Sequence, residues 1–169
     1  EAGRVVERGP HAELLALGLE IAGTDADDVV QGTGLDDRLL GMAGNDSLYG
    51  SAGNDVLHGD AGDDILNGGI GNDVLSGGEG TDTYEFNAGS GTDTLVDAGG
   101  GRLELGTGIA LSSVSARRDG ANLVLHMPEA ADSIVIRDYF DTQQTWEIQD
   151  TSGNSATAEE LLSGTWASG

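Results

Sequence analysis

Residues 23–85 repeat with a period of nine, which restricts the chain to folds in which short, near-identical units stack on one another. Seven contiguous nonapeptides run GTDADDVVQ from Gly23, GTGLDDRLL from Gly32, GMAGNDSLY from Gly41, GSAGNDVLH from Gly50, GDAGDDILN from Gly59, GGIGNDVLS from Gly68 and GGEGTDTYE from Gly77. Position one is Gly in all seven, position six is Asp in all seven, and position eight is Val, Leu or Tyr. After two extra residues, Phe86 and Asn87, AGSGTDTLV from Ala88 puts Asp93 and Leu95 in the matching places.

Each position has a physical task. Gly at one and four permits positive φ, and Asp or Asn at five tolerates the left-handed region, so the first six residues read as a sharp turn. Residues seven to nine read as a short strand with position eight inward and its neighbours outward. So short a strand survives only by stacking. The inward residues Val30, Leu39, Leu48, Leu57, Leu66, Leu75 and Tyr84 then form one narrow apolar column.

Charge sets the next constraint. The chain carries 30 acidic residues against 7 basic ones, all Arg, for a net charge of −23, with 29 Gly, 2 Pro and no Cys. Such a balance disfavours nucleic acid and anionic membranes as partners and favours multivalent cations. Between Gly23 and Asp97 there are 14 Asp and 2 Glu against Arg38 alone. Left to itself, a Gly-rich segment so charged is expected to be disordered. Without Cys, disulfides contribute nothing. No apolar run approaches the roughly 18 residues of a membrane span. The N-terminal EAGRVVERGP lacks a signal-peptide core, so a soluble chain outside the general secretory route is expected.

The repeat block, GGxGxDxUx in pattern, resembles the RTX repeats of bacterial secreted proteins, a repeat that also serves as a general example of solenoid periodicity. The resemblance implies an all-β fold, a parallel β-roll in which two nonapeptides make one coil and repeat n lies over repeat n+2. It also implies calcium between overlying turns, held by Asp side chains and turn carbonyls. Carried over residue by residue, it pairs Asp28 with Asp46, Asp37 with Asp55, Asp46 with Asp64, Asp55 with Asp73 and Asp64 with Asp82. Five calcium ions follow, and a sixth between Asp73 and Asp93 if the two-residue insertion leaves the last turn in register. The carbonyls implied are those of Gly41, Ala43, Gly50, Ala52, Gly53, Gly59, Ala61, Gly62, Gly68, Ile70, Gly71, Gly77, Glu79 and Gly80. Ala26 and Leu35 replace the position-four Gly in the first two repeats, so the tightest sites are expected between Asp46 and Asp82.

The physics agrees. Two carboxylates about 4 Å apart repel by roughly 4 kcal/mol at an effective dielectric near 20. A hard dication with about six to eight oxygen ligands turns that repulsion into a staple, and flexible carbonyl-rich turns suit calcium better than magnesium. Good turn residues alone do not explain why position six is always Asp while position five drifts among Asp, Asn and Thr.

Four regions are expected: a flank over 1–22, the roll over 23–96, a β-rich cap over 97–150 and a tail over 151–169. Strands are read in RLELG, SVSARR, NLVLHM, SIVIRDYF and TWEIQD, with Tyr139, Phe140 and Trp146 as cap core. Thr157 and Glu160 form a capping box opening a short helix, and the tail is a candidate type I secretion signal. A short helix is read between Pro10 and Gly18. GRVVERGPHAELLA also resembles the end of an ABC-transporter ATPase domain, but the chain has no P-loop.

No catalytic constellation is present: HExxH and GxSxG are absent, and His11, His58 and His126 are scattered. The favoured reading is a non-enzymatic, monomeric calcium-binding module. It folds on binding calcium after type I secretion, as the C-terminal part of a larger toxin, hydrolase or adhesin outside the cell. An adhesive or ligand-binding domain is the alternative, and a fragment of an enzyme with its catalytic domain upstream is a third reading.

Overall fold

Alternation places each position-eight residue at the inward point of a strand, and the coils stack those points into a core. The structure is a computed structural model that describes residues 6–7, 18–127, 132–142 and 144–165. In the repeats the strands are β3 (Val29–Gln31), β4 (Arg38–Ala43), β5 (Ser47–Ala52), β6 (Val56–Ala61), β7 (Ile65–Ile70), β8 (Val74–Glu79), β9 (Asp82–Phe86) and β10 (Thr92–Leu95). From β4 to β8 each is six residues long rather than three. Positions two and three of the following nonapeptide also pair with the next coil, as Met42 does with Asp60 and Ser51 with Gly69. The turn is therefore confined to positions four to six.

Within the repeats, β4, β6, β8 and β10 belong to one sheet and β3, β5, β7 and β9 to the other, so each coil takes two nonapeptides. Register steps by two repeats: Leu39, Leu57 and Leu75 align on one sheet, and Val30, Leu48, Leu66 and Tyr84 on the other. Every one of these side chains is at most 2% exposed. The two-residue insertion leaves this register intact, because Leu95 still lies opposite Leu75. Phe86 joins the core, and a turn closed by the Ser90 N–H on the Asn87 carbonyl absorbs the extra length.

The two sheets run on past the repeats. Strand β11 (Gly100–Leu105) lies parallel on β9, and β15 (Thr145–Asp150) parallel on β11, so Leu103 and Ile148 extend the Tyr84 column. On the other sheet β14 (Asp132–Ile136) lies parallel on β10, and Ile136 extends the Leu95 column. Antiparallel strands then finish both edges: β13 (Asn122–Met127) and β12 (Ser115–Asp119) on one, β16 (Ser155–Thr157) on the other. At the opposite end β2 (Glu20–Ala22) pairs parallel with β4, and β1 (Val6–Glu7) antiparallel with β2. SIVIRDYF departs from the expected single strand: it ends at Ile136, and Arg137–Phe140 turn, with Asp138 at φ 53°. Tyr139 packs edge-on against Phe140 at 4.9 Å, while buried Trp146 lies 5.2 Å from Tyr84.

Helix α1 (Ala158–Ser163) opens with the capping box of Thr157 and Glu160. The helix read between Pro10 and Gly18 falls on residues 8–17, outside the described residues.

The column makes a simple prediction. In saturating calcium, Leu66→Ala is expected to lower stability by about 2–5 kcal/mol, the range for truncating a buried Leu. Ile65→Ala, on the outer face, is expected to cost less than about 1 kcal/mol. Urea denaturation of both variants checks the contrast.

Candidate metal centre

Each position-six Asp stands at the turn-to-strand junction, where its carboxylate lies between coils rather than in solvent. Asp28, Asp37, Asp46, Asp55, Asp64, Asp73, Asp82 and Asp93 are all buried. Their first oxygens form a ladder. The N–H of Asp28 donates to Asp46 Oδ1 at 2.7 Å, Asp37 to Asp55 at 2.7 Å, and Asp46 to Asp64 at 2.8 Å. Asp55 donates to Asp73 at 2.7 Å, Asp64 to Asp82 at 3.0 Å, and Asp73 to Asp93 at 3.1 Å. These are the pairs implied by the repeat, including the one across the insertion.

The second oxygens divide the column. Oδ2 of Asp46, Asp55, Asp64, Asp73 and Asp82 is buried without a hydrogen-bond partner. In the first two repeats the same oxygen is satisfied from within: Thr24 N and Oγ1 reach Asp28 Oδ2 at 2.6 and 2.8 Å, and Thr33 N and Oγ1 reach Asp37 Oδ2 at 2.5 and 2.8 Å. What sets these repeats apart is therefore a position-two Thr as well as the missing position-four Gly. That signal was present in the two GT dipeptides.

The position-one Gly is needed for space, not for positive φ as expected from sequence; none of the seven lies in the left-handed region. A side chain starting at Gly41 would place its Cβ 2.5 Å from Asp46 Oδ2 and 2.6 Å from the Gly59 carbonyl oxygen. At Gly50 the crowding atoms are Asp55 Oδ2 and the Gly68 carbonyl, and at Gly59 they are Asp64 Oδ2 and the Gly77 carbonyl. Positive φ falls instead at position two, as in Met42, Ser51 and Asp60, and at the position-four glycines from Gly44 to Gly80.

The carbonyls named from sequence are used unequally. Those of Gly41, Gly50, Gly59, Gly68 and Gly77 stand beside the Cβ space of the position-one Gly two repeats earlier, and each shares it with a position-six Oδ2. Ala61, Ile70 and Glu79 accept from the N–H of Gly44, Gly53 and Gly62 at 2.8–3.0 Å. The carbonyls of Gly53 and Gly62 press against Gly71 and Gly80 of the next coil. Among the described residues, no three His, Cys, Asp or Glu side chains gather into a metal cluster. A cation between turns would therefore have at most two carboxylates to hold it and would need turn carbonyl oxygens for the rest of its shell, a donor set that suits a hard ion such as calcium.

Two features escaped the sequence reading. Position five does not enter the left-handed region; its side chain instead accepts from the N–H two repeats later. Asp27 accepts from Asn45, Asp36 from Asn54, Asn45 from Asp63, Asn54 from Asn72, Asp63 from Thr81 and Asn72 from Thr92, at 2.7–3.0 Å. The drift to Thr has a structural reason, since Thr81 and Thr92 are the last donors in their columns and no further repeat draws on their side chains. Asp132, at the start of β14, also completes the final turn by accepting from Gly89 N at 2.6 Å and Gly91 N at 3.2 Å.

Burial pushes the carboxyls of Asp46, Asp55 and Asp82 up to about 6 and that of Asp93 up to about 7, from an ordinary 3.8. Asp64 and Asp73 rise for the same reason. In each, the N–H from the preceding coil pulls partly the other way, and nearby Asp residues push further up.

Stacked turns with buried, unpaired carboxylate oxygens define a cation-binding solenoid. Residues 22–57, 31–66, 49–84 and 58–95 match the family described as RTX calcium-binding nonapeptide repeat. The repeat block is an RTX calcium-binding domain. Among solved structures, the extracellular lipase LipA from Serratia marcescens is similar at 22% identity and a TM-score of 0.42, over 80% of this chain and 24% of the lipase. The AlgE6R3 subunit of the Azotobacter vinelandii mannuronan C5-epimerase is similar at 28% identity and a TM-score of 0.34, over 87% of this chain and 90% of that one. The chain thus spans about a quarter of the lipase's length. No curated protein matches the chain.

Raised carboxyl pKa values favour the stacked, metal-free state at low pH. Their stabilising contribution is complete below the unfolded value of 3.8 and is lost as pH rises through about 6 to 7. Without calcium, acidification from about pH 8 to about pH 5 is expected to raise β content, while the calcium needed for folding rises as protons compete. Far-UV circular dichroism at fixed free calcium measures both trends.

A second test concerns the position-one cradle. Gly59→Ala is expected to raise the calcium concentration at half-folding about tenfold or more, whereas Gly34→Ala, whose Cβ would meet nothing within 4 Å, leaves it within about twofold. Calcium titration of the two variants decides between them.

Proposed function

We propose that this chain is a calcium-operated folding module of an extracellular protein, disordered without calcium and assembled into the roll when calcium binds. The observation that carries this reading is the row of buried Oδ2 atoms on Asp46, Asp55, Asp64, Asp73 and Asp82 with no partner. Five unsatisfied buried anionic oxygens are a prohibitive load for a narrow column of Leu side chains, since each uncompensated charge costs several kcal/mol. Cations between turns remove the load, so binding and folding become one event.

The ligands proposed are the carboxylate pairs from Asp28–Asp46 to Asp73–Asp93, completed by turn carbonyls. Those of Gly59, Gly68 and Gly77 are the best placed, beside Oδ2 of Asp46, Asp55 and Asp64. That assignment gives six ions, the sixth being supported by the intact register of Leu95 on Leu75. The switch suits export through a type I channel: a −23 chain stays unfolded in a calcium-poor cytosol. It then folds outside, where weak sites of roughly 0.1–1 mM affinity fill. In this reading residues 97–150 cap the roll, the tail holds the secretion signal, and any catalytic or toxic activity belongs to a larger protein.

Far-UV circular dichroism during calcium titration tests the reading, with magnesium as control. A cooperative coil-to-β transition with calcium alone is expected, and Asp64→Ala should shift its midpoint to at least about tenfold more calcium. A spectrum indifferent to chelator would falsify it.

A further inference from the structure

The odd column of turns ends at Asp82, and its end is built differently from the rest. Asp28, Asp46 and Asp64 each donate an N–H to the Asp two repeats on. Opposite Asp82 the register brings Gly101, which has no side chain to offer. Asp97 supplies a carboxylate there instead. It is 5% exposed, and the Tyr84 hydroxyl joins its Oδ2 to the N–H of Gly77, the residue against which Asp82 Oδ2 lies.

Tyr84 fixes this arrangement. In the first repeats the position-one N–H goes to a main-chain carbonyl of the coil above, as from Gly23 to Leu40 and from Gly32 to Tyr49. At the last coil the Gly77 N–H donates to the Tyr84 hydroxyl at 2.8 Å, which itself donates to Asp97 Oδ2 at 2.6 Å. Asp97 Oδ1 accepts from Gly99 N at 2.8 Å. This explains the Tyr at position eight, where Val or Leu serves in every earlier repeat. Asp82 Oδ2 points at the same Gly77 and is buried without a partner. Among the described residues, the ion pairs of Arg38, Arg102 and Arg117 go to other carboxylates.

We propose that Asp82 and Asp97 hold a further divalent cation of the calcium type, closing the roll beyond the last nonapeptide pair, with Tyr84 as the positioning residue. Both carboxylates ligate as anions. The site rests on the calcium-binding reading above, but its carboxylate comes from outside the repeat pattern.

Native mass spectrometry of the full chain in saturating calcium, with terbium luminescence excited through the indole, tests the site. Asp97→Asn is expected to keep the calcium-dependent circular dichroism while binding one calcium fewer. Its terbium emission should also fall, because Trp146 lies 5.2 Å from Tyr84 at this end of the roll. An unchanged calcium count and unchanged emission would overturn the proposal. Should Asp97→Asn fail to fold, Tyr84→Phe keeps both carboxylates and frees Asp97. Release of the most weakly held calcium at several-fold higher free calcium than in the parent is then expected, and identical release would overturn the proposal. A parent chain that binds no calcium at all contradicts the calcium-binding reading itself, a separate result.

Discussion

Everything in this molecule depends on burying carboxylates between coils. From Asp37 to Asp93, one oxygen of each position-six Asp is spent on an N–H of the preceding coil, which holds the side chain in place and fixes the step between repeats. The other, from Asp46 to Asp82, lies against the position-one glycine, buried and without a hydrogen-bond partner. Hydrogen bonding therefore orients the carboxylates but leaves their charge uncompensated, and a dication supplies what the polypeptide withholds.

The apolar column is the complement of this arrangement rather than a rival to it. One inward residue per nonapeptide buries too little surface to hold a coil against its chain entropy. Stacking in register makes those residues continuous from Val30 to Ile148 on one sheet and from Ile21 to Ile136 on the other. Strands β14 and β15 continue both columns, and antiparallel β13 and β16 then stop the growth of the parallel edges.

What the sequence disclosed was whatever repeats. A fixed Asp, an inward Leu and the two-repeat overlap are periodic, so the pairs from Asp28–Asp46 to Asp73–Asp93 and the core column could be named without coordinates. The roles of the glycines could not. The limit at position one is set by a carbonyl 18 residues away, as Gly59 is to Gly41, and not by local φ. Position five looked like drift because its acceptor role appears only when the coils are superposed. Thr24 and Thr33 could have been found from the position-two Thr that only the first two repeats carry, whereas nothing in the local sequence of Asp97 or Asp132 announces the contacts they make across the fold.

The most direct measurement is amide hydrogen exchange at Asp46, Asp55 and Asp64, whose N–H groups bind the carboxylates of the overlying turns. In calcium these amides should be protected together with the column residues Leu48, Leu57 and Leu66, and chelator should abolish protection at all of them at once. Equal protection with and without calcium would contradict the claim that the cation, rather than the polypeptide alone, holds the coils together.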